Sequence, residues 1–324
     1  MDRRQRGIYK KELGWFLLMR ARILWALKKV TRGSLRTHVY DCDHALKGAW
    51  LQAHFSDAIA SLVSQYHASP PNAPEPSSGR YIWMFWWQAN HQELPVIRTC
   101  IRSVRKQMPE DVELIILTKE NLSQYCSIPA HIYQKLESGV ITLTHFSDIV
   151  RVTALAGWGG LWLDATIFTT DDFSYAFDGP FWSIKKPDLT HKFVPRGRWT
   201  IYAVGSVQNS IIFYLMKELF SQYWERYNVM IDYFLVDLFM DLLYESVEEV
   251  RLLIDGVQPN NIRVLDMQNS MAEPWSPELV AALEKETQLF KLTWKQQVPL
   301  TVEGKQSLYG WLLSQGENGI HPSA

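Results

Sequence analysis

The order of apolar and polar positions divides the chain into a helical first part and a later part in which strands and helices alternate. Residues 37–68 carry apolar side chains at the spacing of one or two helices. From residue 80 the pattern changes, because RYIWMFWW and VELIILT are short apolar runs with the composition of buried strands. The segment between them, PVIRTCIRSVRKQM, has helical spacing and begins with Pro95, a residue favoured in the first turn of a helix. A strand, a helix and a strand in this order predict a parallel unit and the α/β fold class.

A segment rich in proline and serine separates the two parts. The letters ASPPNAPEPSSG interrupt regular structure and are typical of a linker. We therefore predict a helical N-terminal extension over residues 1–68, a linker over residues 69–79 and one enzyme-sized domain over residues 80–324.

The most informative stretch runs from residue 145 to residue 168, with the letters HFSDIVRVTALAGWGGLWLDATIF. Its first half predicts a helix that begins near Ser147, a favourable N-cap, and that places Asp148 and Arg151 on one face. Apolar residues of this helix are expected to face the core, namely Ile149, Val152 and Ala156. Glycines then end the helix and let the backbone turn tightly into a strand, namely Gly157, Gly159 and Gly160.

The strand LWLDATIF holds one carboxylate in an otherwise apolar run. Strand alternation puts Trp162, Asp164 and Thr166 on one face. Because an isolated ionised carboxylate is costly to bury, Asp164 is expected to lie at a strand end in a cleft, to pair with a base or to bind a cation. A bound Mg²⁺ or Mn²⁺ that also neutralises a substrate diphosphate meets this requirement, and a structural salt bridge is the alternative that the residues leave open.

Composition narrows the function classes. The chain is 47% hydrophobic with a net charge of −1, so neither a disordered protein nor a general nucleic-acid binder is favoured. The three cysteines have no metal-type spacing, which indicates reduced thiols in a cytosolic compartment. Neither predicted strand is followed by the glycine spacing of a dinucleotide or phosphate loop, which disfavours NAD enzymes and P-loop ATPases.

The charge is distributed unevenly along the chain. Of the 33 basic and 34 acidic residues, 11 basic and 2 acidic lie in residues 1–36, so the remainder has 22 basic and 32 acidic. Within this basic region, ELGWFLLMRARILWALKKV is strongly apolar, but arginines interrupt it before it reaches the length of a membrane-spanning helix. An amphipathic helix that lies on an anionic membrane surface is expected, with an ordinary docked helix as the alternative. Its apolar contacts are expected to come from Trp15, Phe16, Ile23, Leu24 and Leu27.

Several motifs in order resemble those of one family. IWMFWWQ, PVIRTCIRSV, HFSDIVR and GGLWLDATIF, followed by WTIYAVGSVQNSIIFYLMKELFSQYW and DYFLVD, are similar to the capsular polysaccharide synthesis family of bacterial glycosyltransferases. The likeness covers most of residues 80–245 and extends to the wider group of DXD-motif sugar transferases. It implies a GT-A fold, a Rossmann-like nucleotide-sugar domain in which the acidic motif ends a core strand.

The resemblance also implies roles for individual residues. Trp86, followed by Trp87, stands where relatives stack an aromatic ring on the nucleotide base, and Asp148 with Arg151 matches the pair that holds donor hydroxyls and phosphate. Asp164 matches the first acid of the DXD motif, which contacts the donor ribose or the metal, Mn²⁺ or Mg²⁺. The full set of expected substrate-binding residues is Trp86, Trp87, Asp148, Arg151, Gly160 and Thr166, with Asp164 as the metal ligand.

One position departs from the wider pattern, and other charged residues bear on the chemistry. Where the group has a second acid that binds the metal, this chain has Thr166, so Asp171 or Asp172 is a possible replacement. In an inverting transferase a carboxylate accepts the proton of the acceptor hydroxyl, and Asp232 and Asp237 are the expected candidates beside Asp164. The letters FKLTWK carry two lysines that can place a cation near the diphosphate, Lys291 and Lys295.

These observations predict a glycosyltransferase, of hexosyltransferase type, at the cytoplasmic face of the plasma membrane. It is expected to transfer a sugar from a nucleotide-diphosphate donor to a lipid-linked capsular or surface polysaccharide, bound to the membrane through residues 1–36 and without a nucleic-acid partner. Two alternatives stay open. One is a non-catalytic carbohydrate-binding or assembly relative, and the other is an aspartate-dependent phosphohydrolase, which Thr166 and Phe168 disfavour because such enzymes need other residues there.

Overall fold

A central sheet with helices on both faces forms the part of the chain that follows residue 80. The structure, a computed structural model, describes residues 3–69, 80–188 and 190–317. Within these residues the strands are β1 (Arg80–Phe85), β2 (Val112–Leu117), β3 (Gly160–Leu163), β4 (Ile167–Thr169), β5 (Phe181–Ser183), β6 (Ala203–Ser206), β7 (Leu289–Lys291), β8 (Thr301–Val302) and β9 (Lys305–Gln306). The α-helices are α1 (Arg3–Glu12), α2 (Trp15–Val30), α3 (Gly33–Ala68), α4 (Pro95–Gln107), α5 (Leu122–Tyr125), α6 (Ala130–Glu137), α7 (Leu143–Trp158), α8 (Ile211–Arg226), α9 (Leu235–Ser246), α10 (Glu248–Asp255), α11 (Asp266–Asn269), α12 (Pro277–Glu284) and α13 (Leu308–Glu317).

The central sheet has the strand order β2-β1-β3-β6-β5. Strand β1 pairs in parallel with β2 and with β3, whereas β6 and β5 join in antiparallel fashion. The predicted parallel unit of β1, α4 and β2 and the α/β class with a helical N-terminal extension are therefore confirmed. Because β1, β2 and β3 are parallel, the residues that follow them lie at the same edge of the sheet, where ligands bind in open sheets of this kind.

The two faces of the sheet pack against different helices. Trp83 and Trp162 belong to a core that includes α7, α8 and α9, while Leu161 and Leu163 face a second core that includes α4. The predicted alternation along β3 is thus confirmed for its apolar residues. The strand itself ends at Leu163, and a tight turn separates it from β4.

The buried helix α7 begins earlier than its sequence predicts. Thr142 is the N-cap, because its hydroxyl accepts a hydrogen bond from the backbone N–H of His145 at 3.3 Å. The expectation that Ser147 caps the helix was wrong. The helix extends by about one turn on the N-terminal side of Ser147, where Phe146 packs in the core. Its apolar residues are buried as predicted, namely Ile149, Val152 and Ala156.

The N-terminal helices pack directly on the rest of the chain. Residues 37–68 form part of the single long helix α3, which lies against α8 and α9. Tyr9, Leu17 and Phe55 are buried in the same core as α7 and α8. The extension is therefore attached through a shared hydrophobic core. Residues 70–79 of the predicted linker lie outside the described residues, and the predicted domain boundaries stay a prediction.

Candidate active site at the ends of the central strands

Asp164 follows the last residue of β3, at the edge of the sheet where parallel strands end. Its backbone N–H donates to the carbonyl of Tyr202 at 2.8 Å, and its own carbonyl accepts from Ile167 N–H at 2.8 Å. This turn fixes the backbone on both sides of the residue. The Asp164 side chain is 29% exposed, so it stands at the surface of the sheet edge while its partners are more deeply placed.

Both carboxylate oxygens of Asp164 are engaged. Oδ1 accepts hydrogen bonds from Arg151 Nη2 at 3.1 Å and from Trp162 Nε1 at 3.0 Å, and Oδ2 accepts from Lys291 Nζ at 2.8 Å. Burial alone raises the pKa of this carboxyl, but the positive charges of Lys291 and Arg151 outweigh it and lower the pKa to about 2. Asp164 is consequently an ionised group near neutral pH.

Lys291 reaches the site through the pairing of two strands that are distant in sequence. Strand β7 pairs in antiparallel register with β4, which sets Lys291 opposite Ile167. Its ammonium also donates to Thr166 Oγ1 at 2.5 Å and lies 5.3 Å from the ring centroid of Tyr202. Of the two lysines named from the sequence, Lys291 thus meets Asp164, whereas Lys295 lies over the ring of Trp294.

Asp148 and Arg151 lie one helical turn apart on α7 and face the same site. Arg151 Nη1 donates to Asp148 Oδ1 at 2.5 Å, and the guanidinium lies 4.8 Å from the ring centroid of Trp162. Burial lowers the pKa of Arg151, but Asp148 and Asp164 outweigh that effect and raise it. Arg151 is 4% exposed and joins the two carboxylates in a fixed geometry.

His145 extends this chain of contacts and was missed as a site residue. Trp224 Nε1 donates to His145 Nε2 at 3.0 Å, so that nitrogen accepts and the proton resides on Nδ1. Nδ1 lies 3.6 Å from Asp148 Oδ2. The spacing of three residues between His145 and Asp148 was the available signal, since it places both on one helix face.

Trp86 and Trp87 follow β1 at the same sheet edge but face different surroundings. Trp86 Nε1 donates to Asn90 Oδ1 at 2.8 Å, and its ring is 6.0 Å from that of Trp294 at an interplanar angle of 74°. Trp87 packs edge-on against Phe146 at 5.4 Å, within the core. Since Trp294 is exposed, the pair of Trp86 and Trp294 is the more accessible aromatic surface beside the site.

The structure places Gly160 away from this cluster, at the first residue of β3. Its φ of +89° lies in the left-handed region, and an added Cβ there meets the carbonyl oxygen of Tyr81 at 2.4 Å. The glycine allows close approach of β1 and β3. The geometry therefore gives it a packing role at the opposite end of the strand from Asp164.

Asp232 and Asp237 have different partners and do not contact each other. Asp232 forms an ion pair with Lys47 of α3 and accepts the backbone N–H of Phe234 at 2.9 Å, before α9. Asp237, in the first turn of α9, is buried and accepts from Trp199 Nε1 at 3.0 Å. Burial raises the pKa of Asp237 from 3.8 to about 7, although the hydrogen bond from Trp199 lowers it; the charge of nearby Asp148 raises it further.

The side chains near Asp164 do not form a ligand set that fits a divalent metal. Among the described residues, no group of three or more His, Cys, Asp or Glu side chains is positioned to hold an ion. Both Asp164 oxygens already meet cations, and Thr166 supplies a hydroxyl where a second carboxylate is needed. Asp171 is exposed, and Asp172 accepts hydrogen bonds from Ser174 in a local turn. Metal binding stays a prediction of the sequence.

The N-terminal helices expose an apolar surface among basic residues. Large apolar side chains of α2 and the start of α3 are exposed, namely Trp15, Phe16, Ile23, Trp25, Leu27, Val30 and Leu35. Leu24, expected with them, is half-buried. In the part of the chain that the structure describes, no helix combines the length and apolar character needed to cross a membrane.

Comparison with known proteins gives a matching sequence family and a solved structure of low similarity. A family model described as capsular polysaccharide synthesis protein matches residues 38–311. No curated protein sequence matches the chain. Among solved structures, the apo structure of WbbM, a bifunctional glycosyltransferase, matches with a TM-score of 0.43 and 9% identity, over 76% of this chain and 51% of that chain. The chain thus spans about half the length of that protein.

Proposed function

Since the match over most of its length shows that the chain belongs to the capsular polysaccharide synthesis protein family, we propose that it is a nucleotide-sugar-dependent glycosyltransferase. The proposed reaction moves a sugar, a hexose in the simplest case, from a nucleoside diphosphate to a lipid-linked capsular or surface polysaccharide. The proposed fold type is GT-A, which the parallel strands β2, β1 and β3 and the acid that follows β3 support. The family assignment supports the transferase role, and the donor and acceptor are our inference.

The observation that carries this proposal is the charged cluster at the sheet edge. Lys291 and Arg151 are cations held in place by carboxylates, and a nucleoside diphosphate presents the negative charge that such cations stabilise. Asp148 and Asp164 are acceptors for the hydroxyls of ribose and sugar. Preorganised ion pairs of this kind lower the free energy of the departing diphosphate because they do not reorganise during the reaction.

The transfer step follows from these positions. The bond between the anomeric carbon and the diphosphate oxygen breaks, the acceptor oxygen bonds to that carbon, and the acceptor proton moves to a base. Lys291 is placed to stabilise the charge on the diphosphate as it leaves. Of the predicted bases, Asp237 is favoured over Asp232, because its pKa is about 7, whereas Asp232 is ion-paired with Lys47.

The apolar face of α2 supports a membrane location for this reaction. Exposed Phe16 and Trp25 lie on a helix that also carries Arg20 and Arg22, a combination typical of helices that bind anionic interfaces. We propose a peripheral position on the inner face of the plasma membrane. A lipid-linked acceptor is then held at the same surface as the enzyme.

Donor binding provides the experiment. Sugars linked to uridine diphosphate or guanosine diphosphate are screened in a thermal shift assay. At least one of them is expected to raise the melting temperature of the full chain. Lys291→Gln is expected to abolish that shift, and Lys305→Gln, at an exposed position of β9, is the matched control that keeps it. A wild-type chain that no nucleotide sugar stabilises contradicts the proposal.

A non-catalytic relative is the second candidate, favoured by one observation. Thr166 replaces the second acid of the DXD motif, and Asp164 is fully engaged by its own chain. Such a protein would bind the nucleotide sugar without turning it over. Hydrolysis of the bound donor by the wild-type chain, lost in Asp164→Ala, separates the transferase from this alternative.

A further inference from the structure

Two exposed aromatic rings and a half-buried one form a surface next to the donor site, which we call the aromatic platform: Phe193, Tyr233 and Phe234. The ring of Phe193 meets that of Phe234 at 5.7 Å and 89°, and Tyr233 meets Phe234 at 5.2 Å and 85°. Phe193 is 45% exposed and Tyr233 is 63% exposed. Edge-to-face contacts fix the rings against one another, so the platform is a preformed apolar surface in contact with solvent.

The platform borders the charged cluster described above. Desolvation raises the pKa of Tyr233, the charges of Asp148 and Asp164 raise it further, and Arg151 lowers it. Hydrogen bonds place the same segment beside the start of α7. The Ile231 N–H donates to the hydroxyl of Tyr223 at 2.8 Å. The next residue, Trp224, donates to His145, whose Nδ1 lies 3.6 Å from Asp148 Oδ2. A molecule resting on Tyr233 therefore lies beside the position proposed for the donor sugar.

The segment that carries Tyr233 and Phe234 is held by the N-terminal helices. Tyr9 of α1 donates to the carbonyl of Ile231 at 3.3 Å, and Lys47 of α3 bridges Asp232 and Asp43. Burial, which favours neutral lysine, is outweighed by the two carboxylates, so the pKa of Lys47 is raised. These contacts hold the platform's own backbone in place.

The segment that carries Phe193 is attached to the same helix. Asp41 of α3 accepts from His191 Nδ1 at 2.9 Å and from Arg196 Nη2 at 3.1 Å, on either side of Phe193. Helix α3 thus holds both segments of the platform. Helix α2, which exposes the apolar face around Phe16, packs against α3 and is thereby connected to the aromatic platform.

We propose that the aromatic platform is the acceptor subsite, and that it stacks on the pyranose ring of the acceptor saccharide. This inference rests on the proposed function and adds the position of its second substrate. The C–H face of a pyranose ring is apolar and can stack on rigid, solvent-exposed aromatic rings, while the sugar hydroxyls stay hydrated. The carboxylates of Asp148 and Asp164 beside the platform are acceptors for the hydroxyls of a saccharide.

The test measures saccharide binding and donor binding separately on the full chain. Maltohexaose, cellohexaose and chitohexaose serve as probes in saturation-transfer NMR, and a nucleotide sugar serves in the thermal shift assay. Tyr233→Ala and Phe193→Ala are each expected to weaken saccharide binding about tenfold or more. Both variants are expected to keep the rise in melting temperature that the nucleotide sugar produces. Tyr233→Phe keeps the ring and is expected to bind as the wild type does. Phe16→Ala, which removes an exposed aromatic ring from α2, is the matched control.

The outcomes distinguish this inference from the proposed function. Loss of saccharide contact in both alanine variants, with binding kept in Tyr233→Phe and Phe16→Ala, supports the acceptor subsite. The inference is overturned if none of the three probes contacts the wild-type chain, or if both alanine variants bind them unchanged. Absence of any donor shift in the wild type, with saccharide contact to Tyr233 present, contradicts the transferase proposal alone.

Discussion

Replacing Asp237 with asparagine tests the most unusual carboxyl of the chain. Asp237 is 6% exposed, lies in the first turn of α9, and accepts a hydrogen bond from Trp199 Nε1. Asn keeps the oxygen that accepts this bond and removes the ionisable group. The substitution therefore changes the response of stability to pH with little change in packing.

The magnitude follows from the pKa in the two states. Folding raises the pKa of Asp237 from 3.8 to about 7, so the folded state binds more protons than the unfolded state between these values. The stabilisation from the protonated carboxyl is complete below the lower pKa and is lost as the pH rises through the higher one. Ionisation of the unfolded state lowers the free energy of unfolding by roughly 1.7 kcal/mol near pH 5 and by roughly 4.3 kcal/mol near pH 8.

Urea unfolding at a series of pH values measures this effect. Between about pH 5 and pH 8, Asp237→Asn is expected to gain about 3 kcal/mol of unfolding free energy relative to the wild type. Asp57→Asn, at an exposed position of α3, is the control and is expected to follow the wild type at every pH. A difference between Asp237→Asn and wild type that stays constant over this range would refute the assignment of a raised pKa. It would also remove the reason for favouring Asp237 as the base.

Other predictions concern packing, metal and membrane. Gly160→Ala is expected to destabilise the chain by about 2 kcal/mol or more, because Gly160 has a positive φ and an added Cβ meets Tyr81. Gly157→Ala, on a helix with open space around the added Cβ, is expected to be neutral or stabilising, and the melting temperatures of the two variants test the difference. Chelation with EDTA is expected to leave the thermal shift by a nucleotide sugar unchanged, since the site carboxylate already meets two cations, and a shift that requires Mn²⁺ would contradict this. Phe16→Glu is expected to reduce sedimentation with phosphatidylserine vesicles about tenfold, whereas Leu252→Glu, at an exposed position of α10, is expected to leave sedimentation unchanged. Equal sedimentation of both variants would count against a membrane role for α2.

The local parts of the fold could be predicted from the sequence because they depend on spacing over a few residues. Apolar periodicity was sufficient for β1, α4 and β2, and strand alternation was sufficient for the two faces of β3. The start of α7 was not predictable in this way, since Thr142 and Ser147 are both good N-caps and tertiary packing decides between them. The antiparallel strands β6 and β5 follow no local signal of comparable strength.

The site was predictable to the same extent. Short spacing placed Asp148 and Arg151 on one helix face and Asp164 at a strand end. The resemblance to the family implied that the three groups belong to one site. Lys291 lies 125 residues from Thr166 along the chain, and only the pairing of β4 with β7 brings them into contact. The partners of Asp232 and Asp237 are also distant along the chain, since Lys47 is 185 residues from Asp232 and Trp199 is 38 residues from Asp237. Such contacts depend on topology, which residue spacing does not determine.

The charge balance of the site connects Thr166 to Lys291. Asp148 and Asp164 are matched by Arg151 and Lys291, so the four groups carry no net charge before a substrate arrives. A second acid at position 166 would add one negative charge beside the lysine and would need a further cation to compensate it. A threonine hydroxyl instead accepts from Lys291 without adding charge, which leaves the ammonium available to a diphosphate. The departure from the DXD pattern at position 166 and the lysine from β7 are therefore two parts of one electrostatic arrangement, in which the chain itself supplies the cation that the proposed donor requires.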